Sequence, residues 1–132
     1  MKRVYDFLDK CGTYYLATED GDQPRVRPFG TIDMYNGKLY IQTGKSKAVS
    51  KQLSVNPKVE ISAFDNSTGS WIRIAAALVN DDSVDAKRHM LEKCPDLKAS
   101  YSEDDDNTQV LYLTNAVATI SSFFSEPEVI RF

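Results

Sequence analysis

The sequence predicts a mainly β protein, an antiparallel barrel or sandwich with flanking helices. Three observations lead there. Six or seven segments are rich in aromatic and β-branched residues and are bounded by turn residues. Asn36–Gly37 lies between two of them, and this dipeptide suits a type I′ hairpin turn, whose central residues both take positive φ. Helical spacing occurs three times but does not alternate regularly with the strands, which disfavours a doubly wound parallel sheet.

The elements follow in order. Residues 2–11 place Val4, Phe7, Leu8 and Cys11 on one apolar stripe and predict a helix. "TYYLATE", 13–19, reads as a strand closed by "EDGDQP". "RVRPFGTIDMY", 25–35, reads as one extended run. Pro28 keeps Arg27 out of the helical region, and Gly30 signals a bulge or a close approach. "KLYIQT", 38–43, is then its hairpin partner. "SKAVSKQLS", 46–54, is a short helix stopped at Asn56–Pro57. "KVEISAF", 58–64, and "WIRIAAALV", 71–79, are strands separated by the turn "NSTGS". "DDSVDAKRHMLEKC" opens with capping residues and continues as a helix, and "PDLKASYSEDDDN" is a loop whose acids are read as solvated. Residues 108–124 hold two strands, or one strand with a break near Asn115.

The chain has 132 residues, which fits a single domain over 1–132 with one core. A net charge of −3 argues against a general nucleic-acid binder, whose footprint would be basic. The N-terminus is too polar for a signal peptide, and no run approaches the roughly 18 apolar residues of a membrane span. Cys11 and Cys94 are far apart and lack metal-ligand spacing, so two free thiols in a reducing cytoplasm are expected. One histidine, His89, excludes a multi-histidine metal site.

The chemistry concentrates at "YIQTGKSKAVSKQL", 40–53, where a strand hands over to a helix. Gly44–Lys45–Ser46 matches the end of a P-loop, but that motif needs a glycine at position 39, and Leu39 stands there. An anion site is still expected. The first N–H groups of a helix are unpaired and, with its dipole, favour phosphate. Lys45 and Lys47 add charge, and Thr43 and Ser46 add hydroxyls. Were the 25–35 run the hairpin partner, Arg25 and Arg27 would share one face of the neighbouring strand. The alternative reading is a solvated surface helix capped by Ser46. Phosphate contacts alone give roughly 3–9 kcal/mol, similar to the cost of association, so the ligand should also carry an apolar ring system.

The pieces "YYLATEDGDQPRVRPFG", "LYIQTGKSKAVSKQL", "NPKVEISAF" and "WIRIAAALV", in that order and spacing, resemble the pyridoxamine 5′-phosphate oxidase-like family of FMN-binding split barrels. The chain is most similar to its short members, grouped with nitroimidazole-resistance proteins, from about Tyr14 to Phe124. The resemblance implies a six-stranded antiparallel split β-barrel with a Greek-key connection, and a homodimer with FMN between the subunits. It implies that Arg27, three positions after Pro24, and Lys47 bind the FMN phosphate, with Ser46 beside them. Gln42 and Thr43 match the strand end that contacts phosphate or ribityl oxygens. Pro28, Phe29 and Gly30, in the stretch to Ile32, would run along the flavin ring, and Gln52 matches a helix position near the cofactor.

The function so implied is an FMN-dependent oxidoreductase acting on a small molecule, with a nicotinamide donor and no named catalytic residue. Two other readings stand beside it: a non-catalytic flavin carrier or sensor, and a cofactor-free interaction barrel. The C-terminal segment of the true oxidases has no counterpart here, so oxidation of vitamin B6 phosphates is not expected. Some nitroimidazole-resistance relatives carry a histidine near the position of Gln42, and this chain has none there. Trp71 and Arg73 point one way from their strand and either wall the site or pack. Phe123, Phe124, Val129, Ile130 and Phe132 form an apolar cluster that docks on a second subunit or on its own barrel.

Overall fold

The computed structural model describes residues 1–132. Eight strands and three α-helices follow the chain. They are α1 (Lys2–Cys11), β1 (Tyr14–Asp20), β2 (Gln23–Phe29), β3 (Asp33–Tyr35), β4 (Lys38–Gly44) and α2 (Ala48–Val55). Then come β5 (Lys58–Asp65), β6 (Ser70–Asp81), α3 (Val84–Lys93), a 3-10 turn (Pro95–Ala99), β7 (Thr108–Ser121) and β8 (Glu128–Arg131).

All pairings are antiparallel, in the order β2-β1-β5-β6-β7-β4-β3, with β8 added to β7. The neighbours β1–β5 and β7–β4 are far apart in sequence, as a Greek-key connection requires. β2 and β3 end the path on opposite sides, yet only residues 30–32 join them. Three residues reach roughly 10–14 Å even when extended, so the ends of the sheet must meet. The sheet therefore closes on itself, with a split between β2 and the β3–β4 hairpin. The barrel class is the one expected, but the strands number eight rather than six.

One difference has a local cause. The 25–35 run is not one strand, because it breaks after Phe29. Tyr14 donates its hydroxyl proton to the Thr31 carbonyl at 2.7 Å, and Ile32 turns into the core. So β2 pairs with β1, while β3 alone pairs with β4 through the Asn36–Gly37 turn. That turn has φ of 51° and 72°, as type I′ requires. Residues 108–121 form one strand, with Asn115 at φ 51° opposite a register shift between Ala75 and Ala77.

The core fills the barrel from inward positions of every long strand. Leu16, Leu39, Ile41, Ile61, Ile72 and Ile74 are fully buried, and α1 seals one side with Val4, Phe7 and Leu8. Each such side chain stabilises the fold by about 1.5–3 kcal/mol relative to exposure. α3 packs through Ala86 and Met90 onto Tyr40 and Val110. Ser83 caps it by accepting the Ala86 N–H at 3.2 Å. No helix is long and apolar enough to cross a membrane.

Candidate functional site

The split in the barrel holds a cavity of about 220 Å³ lined by Arg27, Pro28, Phe29, Gly30, Thr31, Gln42, Thr43, Lys47, Val49, Leu97 and Tyr101. Three segments converge there: the end of β2, the β4–α2 corner, and the chain after α3.

Arg27 sits on edge strand β2, opposite Leu16 on the inward face. An edge strand tolerates Pro24 and Pro28, because their missing N–H groups face no neighbour. The guanidinium is fixed by oxygen acceptors. Nη1 donates to Thr18 Oγ1 at 2.7 Å and to the Leu16 carbonyl at 3.3 Å, and Nη2 donates to Gln52 Oε1 at 2.7 Å. Thr18 donates in turn to the same Gln52 oxygen at 2.6 Å. None of these partners is a carboxylate, so Arg27 keeps its positive charge uncompensated. Burial, and after it the Arg25 guanidinium, pushes its pKa down, yet arginine remains charged.

Lys47 is the second cation on the cavity, and it makes no ion pair either. It occupies the N-cap of α2 in extended conformation, and no side chain caps this helix. Ser50 N–H reaches the Lys47 carbonyl at 3.1 Å, while the Ala48 and Val49 N–H groups stay open. Val49, in that turn, lines the cavity. Helix dipole, ammonium and guanidinium thus present positive potential to one space. Gln42 is buried, with its amide Nε2 donating to the Thr43 carbonyl at 3.0 Å. Its backbone N–H takes the Thr31 hydroxyl oxygen at 3.1 Å, tying the β2–β3 connection to β4.

Of the nine residues expected at a site, seven line this cavity. Gln52 stands behind it as the support of Arg27. Ser46 does not reach it: the helix begins at Ala48, and the exposed Ser46 donates its N–H to Asn107 Oδ1 at 2.9 Å. Ser46 is therefore no cap. Arg25 and Lys45, expected near the anion, are engaged elsewhere, Arg25 with Asp20 at 3.1 Å and Lys45 with Asp82 at 3.2 Å. Because β2 and β4 are not hairpin partners, Arg27 arrives by closure of the barrel and not from an adjacent strand. Gly30 has room around it, the nearest atom to an added Cβ being the Gly12 carbonyl oxygen at 3.6 Å.

The sequence pattern does not single out Thr18, Thr31, Leu97 or Tyr101. Thr18 carried a signal, as a hydroxyl at an inward strand position after Tyr14 and Leu16. Leu97 and Tyr101 carried none, since their segment has no periodicity. That segment is built, not merely solvated. Asp105 accepts the N–H groups of Ser102, Asn107 and Thr108 at 2.9, 3.0 and 2.6 Å. The Thr108 bond above all holds its carboxyl down at about 2.

Trp71 and Arg73 lie outside this cleft, on the outer face of the barrel. Trp71 packs on Phe123 with ring centroids 5.3 Å apart, and Arg73 pairs with Glu60 at 3.0 Å. Ile130 and Phe132 pack on the core, while Phe123 and Phe124 are 87% and 88% exposed. His89 Nδ1 is 2.6 Å from the buried Asp33 carboxylate, and its ring packs on Tyr35.

Comparison with known proteins agrees with this architecture. The family model described as pyridoxamine 5′-phosphate oxidase matches residues 1–120. A NimC/NimA family protein from Clostridium acetobutylicum is 48% identical over all of this chain and 92% of its own, with a TM-score of 0.97. General stress protein 26 from Bacillus anthracis shares the fold at 15% identity and a TM-score of 0.78, covering 99% of this chain and 97% of its own. A pyridoxamine 5′-phosphate oxidase-related, FMN-binding protein from Nostoc punctiforme aligns at 16% identity and a TM-score of 0.66, covering 97% and 90%. A search of curated proteins returned no match. With nine-tenths of its length matched and its strands closed around a split lined by Arg27 and Lys47, the chain belongs to the pyridoxamine 5′-phosphate oxidase family.

Proposed function

We propose that this protein binds FMN in the cleft and acts as an FMN-dependent oxidoreductase on a small molecule, as a cytoplasmic homodimer. The observation that carries the reading is Arg27, a pre-aligned guanidinium with no carboxylate partner, opening onto the same cavity as Lys47. An unpaired cation held rigid on neutral acceptors costs desolvation, and an anionic ligand offsets that cost. The residues fit a phosphorylated flavin. Arg27 and Lys47 would take the phosphate, Gln42 and Thr43 would meet the polar chain, and the backbone from Pro28 to Gly30 would flank the ring. Bound FMN would supply hydride or single-electron transfer between a nicotinamide donor and a small oxidised acceptor.

The homodimer rests on two further features. The cavity of about 220 Å³ is smaller than the roughly 300–1,000 Å³ of pockets that enclose a small ligand, so one protomer offers a partial site. Beside it the outer sheet face exposes Tyr15, Val26 and Phe64, with Trp71 opposite Phe64 in register. Pro28 belongs to both, lining the cleft and standing opposite Tyr15. A second copy seated on this face would roof the cleft.

A non-catalytic flavin carrier or sensor is the second reading, favoured by one observation. No carboxylate, histidine or cysteine lines the cavity, whose ionisable side chains are Arg27, Lys47 and Tyr101. Steady-state oxidation of NADH or NADPH by the FMN-loaded protein over a panel of acceptors separates the two. Turnover above free FMN supports the oxidoreductase, and bound FMN without turnover supports the carrier. Protein that ignores added FMN contradicts both.

A further inference from the structure

Tyr101 lines the same cleft as the two cations, and its hydroxyl has no hydrogen-bond partner in the protein. Its mount is rigid. Tyr101 N–H donates to the Leu97 carbonyl at 2.8 Å, and Asp105 ties the following residues together. The loop is also stitched to the β4–α2 corner: Lys45 N–H donates to the Asn107 carbonyl at 2.7 Å, and Ser46 N–H to the Asn107 side chain. The phenol tip lies against Gly44. A Cβ there would come to 3.0 Å from both the Tyr101 hydroxyl oxygen and the Asn107 amide nitrogen, and to 3.2 Å from Tyr101 Cε1. Gly44 has no positive φ, so space and not backbone conformation makes glycine the fitting residue.

We propose that Tyr101 is a ligand-binding residue, its hydroxyl donating to the phosphomonoester that Arg27 and Lys47 attract, with Gly44 as the gap that seats it. A phenol is a good donor to an anionic oxygen, and such charge-assisted bonds are the strong ones. In a cavity this small, Arg27, Lys47 and Tyr101 surround a single group from three segments of chain. Tyr101 thereby favours phosphorylated ligands over their dephosphorylated forms. The inference deepens the FMN reading and rests on it for the identity of the ring, but not for the phosphate.

The test is titration of wild type and Tyr101→Phe with FMN and with riboflavin, followed by flavin fluorescence, plus ³¹P NMR line broadening with inorganic phosphate. Tyr101→Phe removes only the hydroxyl, and circular dichroism checks that the fold is kept. The expected result is FMN affinity lowered about 10-fold or more, riboflavin affinity unchanged, and phosphate broadening reduced. Equal loss for FMN and riboflavin, or no loss for either, overturns the assignment. Wild type that ignores FMN yet broadens phosphate in a Tyr101-dependent way sinks the flavin reading and leaves this inference standing. Wild type that binds neither overturns both.

Discussion

Arg27 and Gln52, 25 residues apart on an edge strand and a helix, meet at 2.7 Å through Nη2 and Oε1. The same Gln52 oxygen accepts from Thr18 at 2.6 Å, so one amide fixes the guanidinium from two sides. The contact converts a mobile surface arginine into a fixed component of the cleft, which lowers the ordering cost of binding. Gln52→Ala should therefore weaken FMN binding several-fold through Arg27, although Gln52 lies behind the cavity. Its cost to folding should be only about 0.5–1.5 kcal/mol, as for one net hydrogen bond. Titration of FMN together with thermal melting checks this; a large fall in stability with unchanged affinity would make Gln52 a purely structural residue.

The two cations should contribute unequally to substitution. Lys47→Ala should weaken FMN by about 1.5–3 kcal/mol, the value of a hydrogen bond to a charged group. Arg27→Lys keeps the charge but loses the fork held by Thr18 and Gln52, so it should not restore wild-type affinity. Isothermal titration calorimetry with FMN measures both. Full affinity in Arg27→Lys would mean that charge alone matters.

Acid should loosen the wall that carries Tyr101. The folded pKa of Asp105, about 2, lies below the roughly 3.9 of an unperturbed aspartate. A depressed pKa means that the ionised form stabilises the fold. This contribution is complete above pH 4 and is lost as pH falls through about 2. The difference in Tm between wild type and Asp105→Ala should therefore be largest at neutral pH and shrink between pH 4 and 2. A difference that stays constant over this range would show that the carboxylate charge is not what fastens the loop.

The exposed sheet face should hold two copies together. Paired substitution Tyr15→Asp and Phe64→Asp should yield a folded monomer by light scattering and circular dichroism, with FMN affinity lowered at least 10-fold. A monomer that binds FMN as tightly as the wild type would remove the second copy from the site.

Much of the architecture was legible in residue patterns. The Asn36–Gly37 turn, the strands β5 and β6 with the turn between them, and the stop at Asn56–Pro57 rest on local rules, and they hold. The extent of β2 was not legible. Its break after Phe29 depends on a hydrogen bond from Tyr14, a residue on another strand, and on Ile32 turning into the core. The cation pair shows the same limit. Arg27 and Lys47 do meet on one cavity, but through closure of a barrel whose end strands sit six places apart in the sheet order. Tyr101 was invisible because its segment is set by Asp105 and Asn107, through bonds that no periodicity announces.

A crystal structure of the protein grown with FMN tests the account most directly. The flavin phosphate should lie within about 2.7–3.2 Å of both the Arg27 guanidinium and the Lys47 ammonium, in the split between β2 and the β4–α2 corner. A flavin phosphate seated away from these two side chains would contradict it.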